Sequence, residues 1–515
     1  MQEHSTKTDV IIIGAGPTGL ALACQLIRYG VDFVIVDLNE TTTPHSKAIG
    51  VQARTLEIYE QIGLADKLID QGWKAGKARM IVGGKLRGEV DFSEIGEGMS
   101  AYPYVLIVEQ GKHENILHDF IKSNGRHVRW RTELQSFSQD DSGVTAVIEN
   151  EAGEIETVNA KFLVGCDGAK SPVRHGLGLT FEGSTFERMF YVADVQIDWE
   201  FQNDALMVFL MKNNLLAFFP MIGDDRWRIV GTFPEEFAKD EGEVLYEEIE
   251  EQIKRDAELD LDITNVNWFS TYKVHTRHVN KFSEGRCFLA GDAAHIHTPA
   301  GAQGMNTGIQ DGYNLAWKLA MVLRGTADKK ILDSYNEERL ENAENLLKTT
   351  DRFFNLVASP EPILTYLRMH VFPYVAGAAF SIDAVKKFVF PRISQIAINY
   401  RRGKLSEHAG DLDVKAGDRC PYFTVDGQSI FNRLREPKFH LLSFSDGQSE
   451  TREDGLSQDL EAFVERHQIP IYPRVAEIFG TDKSFDVLLR PDNYVATISD
   501  DASLAPIENY LKRCL

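Results

Sequence analysis

Residues 9–37 read DVIIIGAGPTGLALACQLIRYGVDFVIVD. Val10 to Ile13 is an unbroken β-branched run, the composition of a parallel strand buried on both faces. Gly14-Ala15-Gly16-Pro17-Thr18-Gly19 follows at once, and Leu20 to Tyr29 continues as a helix that Gly30 closes. Phe33 to Val36 is a second apolar strand ending at Asp37. The glycines permit a tight turn and let a pyrophosphate approach the helix N-terminus, where Pro17 and Thr18 stand. Asp37 is placed to bond a ribose hydroxyl. This context makes Gly14, Gly16, Pro17, Thr18, Gly19 and Asp37 candidate nucleotide-binding residues and predicts a Rossmann-like α/β fold. It does not by itself separate FAD from NAD.

Further on, residues 285–320 read GRCFLAGDAAHIHTPAGAQGMNTGIQDGYNLAWKLA. Cys287 to Ala290 is a short strand, Gly291-Asp292 a turn, and a loop with Pro299 and Gly301 enters a helix near Gly304-Met305-Asn306. Asp292, at a strand end, can accept hydrogen bonds from a sugar-like hydroxyl chain. The glycines let backbone lie close to a flat ring. The helix start aims N–H groups and a positive dipole end at an anion.

Between these stretches the pattern changes. From Trp73 to Tyr104 glycines multiply and the helical period stops. Val144 to Ile148 and Thr157 to Val164 alternate as strands, the second leading into Gly165-Cys166-Asp167-Gly168-Ala169-Lys170-Ser171-Pro172-Val173-Arg174. Residues 179–271 are strand-rich: Tyr191 to Val195, Ala205 to Met211, Leu215 to Pro220 and Arg226 to Thr232. Met207, Phe209, Phe218, Phe219 and Pro220 supply apolar surface there, some of it a dry wall for a substrate; one sequence does not say which face. Leu332 to Leu356 is a charged amphipathic helix, and Tyr400 to Asp413 a polar connector.

The totals exclude several classes. A chain of 515 residues makes two to four domains, and 43% hydrophobic content suits a globular enzyme. A net charge of −22 argues against nucleic acid as the main partner. Five scattered cysteines without CxxC fit a reducing, cytoplasmic setting. The start, MQEHSTKTD, lacks an apolar signal core. Val371 to Ile382, interrupted by Pro373, is too short to span a bilayer, so no membrane partner is expected and a buried or interface helix is. His295 and His297 have no cysteine or carboxylate at useful spacing, and no metal site is expected.

Residues 285–320 resemble the Gly-Asp flavin motif of the single-component FAD-dependent aromatic hydroxylases, the group of para-hydroxybenzoate hydroxylase, phenol hydroxylase and the polyketide hydroxylases. Residues 165–174 match that family's Asp-Gly motif. Val487 to Ala496 resembles the end of the thioredoxin-like domain of phenol hydroxylase and many polyketide hydroxylases; without CxxC it reads as structural. The resemblance implies a discontinuous FAD-binding domain with a helical extension (1–75, 105–178 and 272–400), an inserted β-rich substrate domain (76–104 and 179–271) and a thioredoxin-like α/β domain (410–515). It implies non-covalent FAD, NAD(P)H as a visiting co-substrate, O2, and hydroxylation of a phenolic or polyketide-like aromatic through a flavin hydroperoxide; a homodimer is compatible with it. Baeyer–Villiger oxidation or drug inactivation, and a non-catalytic flavin redox sensor, share the same motifs.

The resemblance also adds site residues. Lys47 and Arg54 stand in the loop and helix that lie against the flavin, with lysine where the family usually has arginine, so the charge is kept and the flat fork lost. Gln110 takes the place of a glutamine on the ribityl side. Asp167 belongs beside the pyrophosphate and the NAD(P)H path, and Lys170 again replaces an arginine. Pro299, Gly304, Met305 and Asn306 would carry backbone close to the ring. No acid or base is singled out.

Overall fold

The computed structural model of the chain describes residues 4–45, 48–212, 214–233, 245–298, 300–358, 361–408, 412–447, 456–500 and 503–515. The apolar run after Asp9 becomes the centre of an eight-stranded sheet. His4–Ile13 pairs in parallel with Phe33–Val36 on one side and Ile155–Gly165 on the other. Val128–Arg129 and Cys287–Leu289 extend the parallel set outward, and an antiparallel hairpin, Thr132–Gln139 with Val144–Asn150, closes one flank. Val10, Ile11 and Ile12 are fully buried. That explains why the strand shows no polar alternation: helices cover both faces of a parallel sheet.

Two helices cross this sheet side by side. The first, Pro17–Arg28, starts directly from the glycine turn. The second, Gly304–Leu323, buries nearly all of its length, including Asn306, Asp311, Asn314 and Lys318.

A second eight-stranded sheet runs in the order His295–Ile296, Asp262–Val279, Phe181–Asp198, Arg226–Thr232, Leu215–Pro220, Leu206–Leu210, Lys77–Val82, Lys85–Asp91. The glycine-rich stretch after Trp73 thus joins the long insertion through a parallel pairing of Lys77–Val82 with Leu206–Leu210. The helix Tyr246–Ala257 packs Ile249 and Ile253 on one face of this sheet. Its other face meets a small three-stranded sheet of Gly50–Val51, Val105–Ile107 and Trp73–Ala75, where Phe219 packs on Ile49, Ala75 and Ile107.

The C-terminal stretch makes a four-stranded sheet, ordered Val464–Pro470, Phe439–Ser445, Phe485–Leu489, Val495–Ser499; the first pairing is parallel and the other two antiparallel. Buried charge fastens it to the rest. Arg490 binds Glu338 (2.5 Å) and Asp492 (2.5 Å), and Glu338 also takes Lys318 (2.9 Å). Asp492 accepts the indole N–H of Trp317 at 3.1 Å. The Leu489-Arg490-Pro491-Asp492 string is therefore a plug into the long helix.

Helices Pro362–His370, Phe372–Phe380 and Asp383–Ile393 form an outer layer. The apolar stretch around Pro373 is only half used inside: Pro373 and Ala376 are buried, while Phe372, Tyr374 and Val375 are exposed. Among the described residues no helix is long and apolar enough to cross a membrane.

Candidate functional site

At the end of the first strand the chain turns at Gly14, in the left-handed region (φ 101°), where a Cβ would lie 2.3 Å from the Cys166 carbonyl oxygen. A Cβ at Gly19 would lie 2.0 Å from the Gly14 oxygen. Backbone therefore packs directly on backbone, and only glycine fits. Gly16 differs: it caps the first helix without a side-chain hydrogen bond, and a Cβ there would meet nothing within 4 Å. An uncapped helix N-terminus fronting open space suits a phosphate. Asp37 braces the turn, its Oδ2 accepting from the Ala15 N–H at 2.6 Å and its Oδ1 from the Asn39 N–H at 2.8 Å.

The second loop is built against the first. Cβ atoms at Gly291 and Gly308 would strike the Thr18 hydroxyl oxygen at 2.4 and 2.3 Å, and one at Gly312 would press Leu22 at 3.1 Å. The glycines let the two helices approach closely, so Thr18, in the first turn of one, touches the start of the other. Two positive helix ends lie together. The long helix also has no side-chain cap at Gln303, which leaves the first turn, Gly304, Met305 and Asn306, to offer backbone N–H groups. The Asn306 side chain is fully used. Its Nδ2 donates to the Gly50 and Ala302 oxygens, and its Oδ1 accepts from the Gln52 N–H and the Thr55 hydroxyl. Gln52 donates to the Gly301 oxygen at 2.9 Å. These bonds hold Gly301 (φ 77°) and Ala302 (φ 51°) left-handed, a conformation that costs alanine about 1–3 kcal/mol.

Asp311 anchors this loop from below. It accepts from the Gly291 N–H (2.9 Å), His295 (2.8 Å) and Arg339 (2.6 Å). Burial opposes its charge, but Arg339 and His295 outweigh burial and hold the carboxyl below the usual range. His295 is thus a buried hydrogen-bond partner of Asp311. His297 donates from Nδ1 to the Thr298 oxygen at 2.6 Å, and burial presses it down to about 4. Asp292 is solvent-exposed on the same loop.

Asp167 accepts from the Val173 N–H at 3.0 Å, and its other carboxylate oxygen is buried without a hydrogen-bond partner. Burial raises its carboxyl above the usual range despite Ser171 and Val173. A ligand hydroxyl or N–H would satisfy that oxygen. Arg174 ties this loop to the Gly291 loop, donating to the Ala169 oxygen at 2.8 Å and the Ala293 oxygen at 3.1 Å. Gln110 accepts from the Ala48 N–H at 3.1 Å and donates to Glu114 at 2.8 Å. Lys47 and Pro299 lie outside the described residues.

Arg54 is engaged within the protein, with its Nε left without a hydrogen-bond partner. Its guanidinium is buried, donates to Glu57 (3.3 Å) and the Asp492 oxygen (3.0 Å), and lies over the rings of Tyr313 and Tyr494. The charge is spent on joining its helix to the C-terminal plug.

The apolar residues expected to wall a substrate divide by strand parity. Met207, Phe209 and Phe218 belong to the core under the helix Tyr246–Ala257, and Pro220 shares the parity of Phe218. Their side chains lie on the helix-packed face of the sheet. Phe219 alone lies on the opposite face, against Ile49, Ala75 and Ile107. Its ladder partners are residues the sequence did not single out. Phe219, Arg228, Asp194 and Trp268 stand opposite one another across four strands, hence on one face. Arg228 holds Asp194 through two bonds of 2.5 and 2.6 Å, both residues buried, and lies over Trp268. Trp268 stacks flat on His45, from the loop after Asp37 (centroids 5.7 Å, 7°). Beside this row, Phe190, Leu215, Tyr272 and Val274 form a small apolar cluster. The register that reveals the face was present in the alternation of Leu215 to Pro220; which parity meets the cofactor was not.

A parallel sheet with a glycine turn, a second glycine loop and two helix N-termini side by side defines a dinucleotide-binding flavoprotein, faced by a sheet with an aromatic row. Residues 7–350 match the family described as FAD binding domain, and the chain belongs to it. It is 30% identical to a flavin-dependent monooxygenase of Mycobacteroides abscessus, over 95% of this chain and 97% of the other. It is 33% identical to 6-methylpretetramide 4-monooxygenase of Streptomyces rimosus, over 96% and 91%. Among solved structures it resembles OxyS anhydrotetracycline hydroxylase from Streptomyces rimosus, with a TM-score of 0.76 and 27% identity over 99% of each chain. The protein is an FAD-dependent monooxygenase of the single-component aromatic hydroxylase kind.

Proposed function

We propose that the protein uses NAD(P)H and O2 to hydroxylate an electron-rich aromatic ring, phenolic or polyketide-like. The observation that carries the substrate class is the Phe219–Arg228–Asp194–Trp268 row on the face opposite the helix Tyr246–Ala257: flat surface with one fixed, neutralised charge pair. The relatives that act on pentachlorophenol and on 6-methylpretetramide support it. Bound FAD supplies the hydride acceptor and the O2-activating centre. The chain supplies position and dryness. Gly14, Gly16, Pro17, Thr18 and Gly19 would cradle the pyrophosphate, Asp37 a ribose, and Gln110 and Asp292 the ribityl chain. Asp167 would bond the nucleotide with its unmatched oxygen. The first turn Gly304 to Asn306 would offer N–H groups to the negative end of the ring, and Lys47 and Pro299 would complete the set. The Phe219 face would exclude water.

Three further points belong to this reading. NAD(P)H would visit and leave, since the sequence carries one glycine-rich βαβ unit. The tail would be a structural thioredoxin-like unit, supported by its strand order, with Cys420 and Cys514 free and their thiols raised, Cys420 to about 12, by burial. The exposed Ile363, Tyr366, Phe372, Tyr374 and Val375 would pair two copies as a cytoplasmic homodimer.

The test is a panel of phenols and fused-ring aromatics, read for NAD(P)H loss, peroxide and 18O from labelled O2 in the product. A matching substrate should raise NAD(P)H loss at least ~10-fold and carry one labelled oxygen on the ring. A ring-expanded product would favour Baeyer–Villiger chemistry, and no stimulation by any aromatic would overturn the reading.

A further inference from the structure

Away from the nucleotide, the C-terminal sheet brings together three metal-ligating side chains. His440, on Phe439–Ser445, stands opposite Glu465 on the parallel strand Val464–Pro470. His467 is two residues beyond Glu465 and so shares its face. Their ligand atoms converge: His440 Nδ1 lies 3.1 Å from His467 Nε2 and 3.3 Å from Glu465 Oε2, and His467 Nε2 lies 3.9 Å from the same oxygen. Four ligands about 2.0–2.1 Å from a tetrahedral ion stand about 3.3 Å apart. The triangle has that size.

The proton positions favour a cation. His440 Nε2 lies 3.1 Å from the Glu436 carbonyl oxygen, which only accepts, so Nε2 carries a proton and the neutral ring turns its Nδ1 lone pair to the centre. This is the outer support that fixes a ligating imidazole. Glu465 Oε2 is buried, with His440 Nδ1 at 3.3 Å and His467 Nε2 at 3.9 Å the ring nitrogens beside it. A proton on His467 Nε2 would satisfy His440 Nδ1 and still leave the carboxylate oxygen facing a lone pair. A single cation at the centre satisfies all three.

We propose that His440, Glu465 and His467 bind a divalent metal of the zinc class, with one position open to solvent past Glu465, whose side chain is 35% exposed. Two imidazoles and one carboxylate oxygen suit zinc or cobalt; calcium and magnesium want oxygen ligands alone. The site would pin the edge strand Val464–Pro470 to its neighbour. His440 stands on a different strand from Glu465 and His467, so no compact spacing announces the full set.

The experiment takes the full-length, FAD-loaded protein, dialysed against a chelator, and titrates it with Co2+ and then Zn2+. Expected are ligand-field bands to the red of the flavin absorption at one Co2+ per chain, their loss on Zn2+ addition, and a higher melting temperature with Zn2+. Glu465→Gln and His467→Gln should each weaken binding by roughly 100-fold, more than an outer-shell change does. Glu465 is partly exposed, so its variant should melt with the metal-free wild type. Absence of a saturable Co2+ site, or one-to-one binding unchanged in both variants, would overturn the proposal.

Discussion

Arg490→Met tests how the C-terminal plug is held. Arg490 is fully buried and serves two carboxylates, Glu338 at 2.5 and 3.1 Å and Asp492 at 2.5 and 2.9 Å. Methionine fills much of the volume and leaves both carboxylates. Glu338 keeps Lys318 (2.9 Å) and Asn314 (2.7 Å); Asp492 keeps the Trp317 indole. Removing one partner of a buried ion pair costs about 3–5 kcal/mol. For a chain this long that lowers the apparent melting temperature by about 3–5 °C. Arg131→Met, which removes an exposed cation from Glu40 and Glu151, should leave the melting temperature nearly unchanged.

The pH dependence sharpens the test. Burial penalises the Glu338 carboxylate, but Arg490 and Lys318 outweigh burial and hold the carboxyl at about 2, against 4.5 ordinarily. A carboxyl depressed by folding stabilises above its unfolded value, and the gain is lost as pH falls toward the folded one. The gap amounts to roughly 3 kcal/mol. The advantage of wild type over Arg490→Met should therefore be full above pH ~5 and shrink between pH ~4.5 and ~2. Scanning calorimetry of both proteins across that window is the assay. Equal melting at pH 7, or a difference that ignores pH, would refute the reasoning.

Asp292→Ala should bind FAD at least ~10-fold more weakly, because a carboxylate is removed from ligand donors; ultrafiltration of the yellow protein reads it. Phe218→Ala should cost about 3–5 kcal/mol by opening the core beneath Tyr246–Ala257, while Phe219→Ala should mainly raise the share of NAD(P)H oxidation lost as peroxide. The reverse pattern would invert the assignment of sheet faces. Cys420→Ser and Cys514→Ser should keep full turnover, since neither thiol has a partner thiol and both are raised by burial; loss of activity in a folded variant would expose a redox role.

Much of the nucleotide half was legible along the chain. A strand buried on both faces must be apolar throughout, and a glycine turn before a helix has few other uses, so residues 9–37 declared strand, turn, helix and strand before any contact was known. The strands Phe33–Val36, Leu215–Pro220 and Arg226–Thr232 run where their composition puts them. What tertiary structure decided was which side of each element matters. Alternation separates Phe218 from Phe219 but does not say which of them meets the helix Tyr246–Ala257, because both faces of that sheet are covered. Arg54 and Arg490 carry the same charge as any surface base in the string of letters. Only packing removes them from water and assigns them Asp492 and Glu338, and pairings so distant in sequence leave no local period to read. The row from Phe219 to Trp268 and the triangle of His440, Glu465 and His467 have the same origin. Register between strands creates them, and the period of a single strand records only that a side chain points up or down.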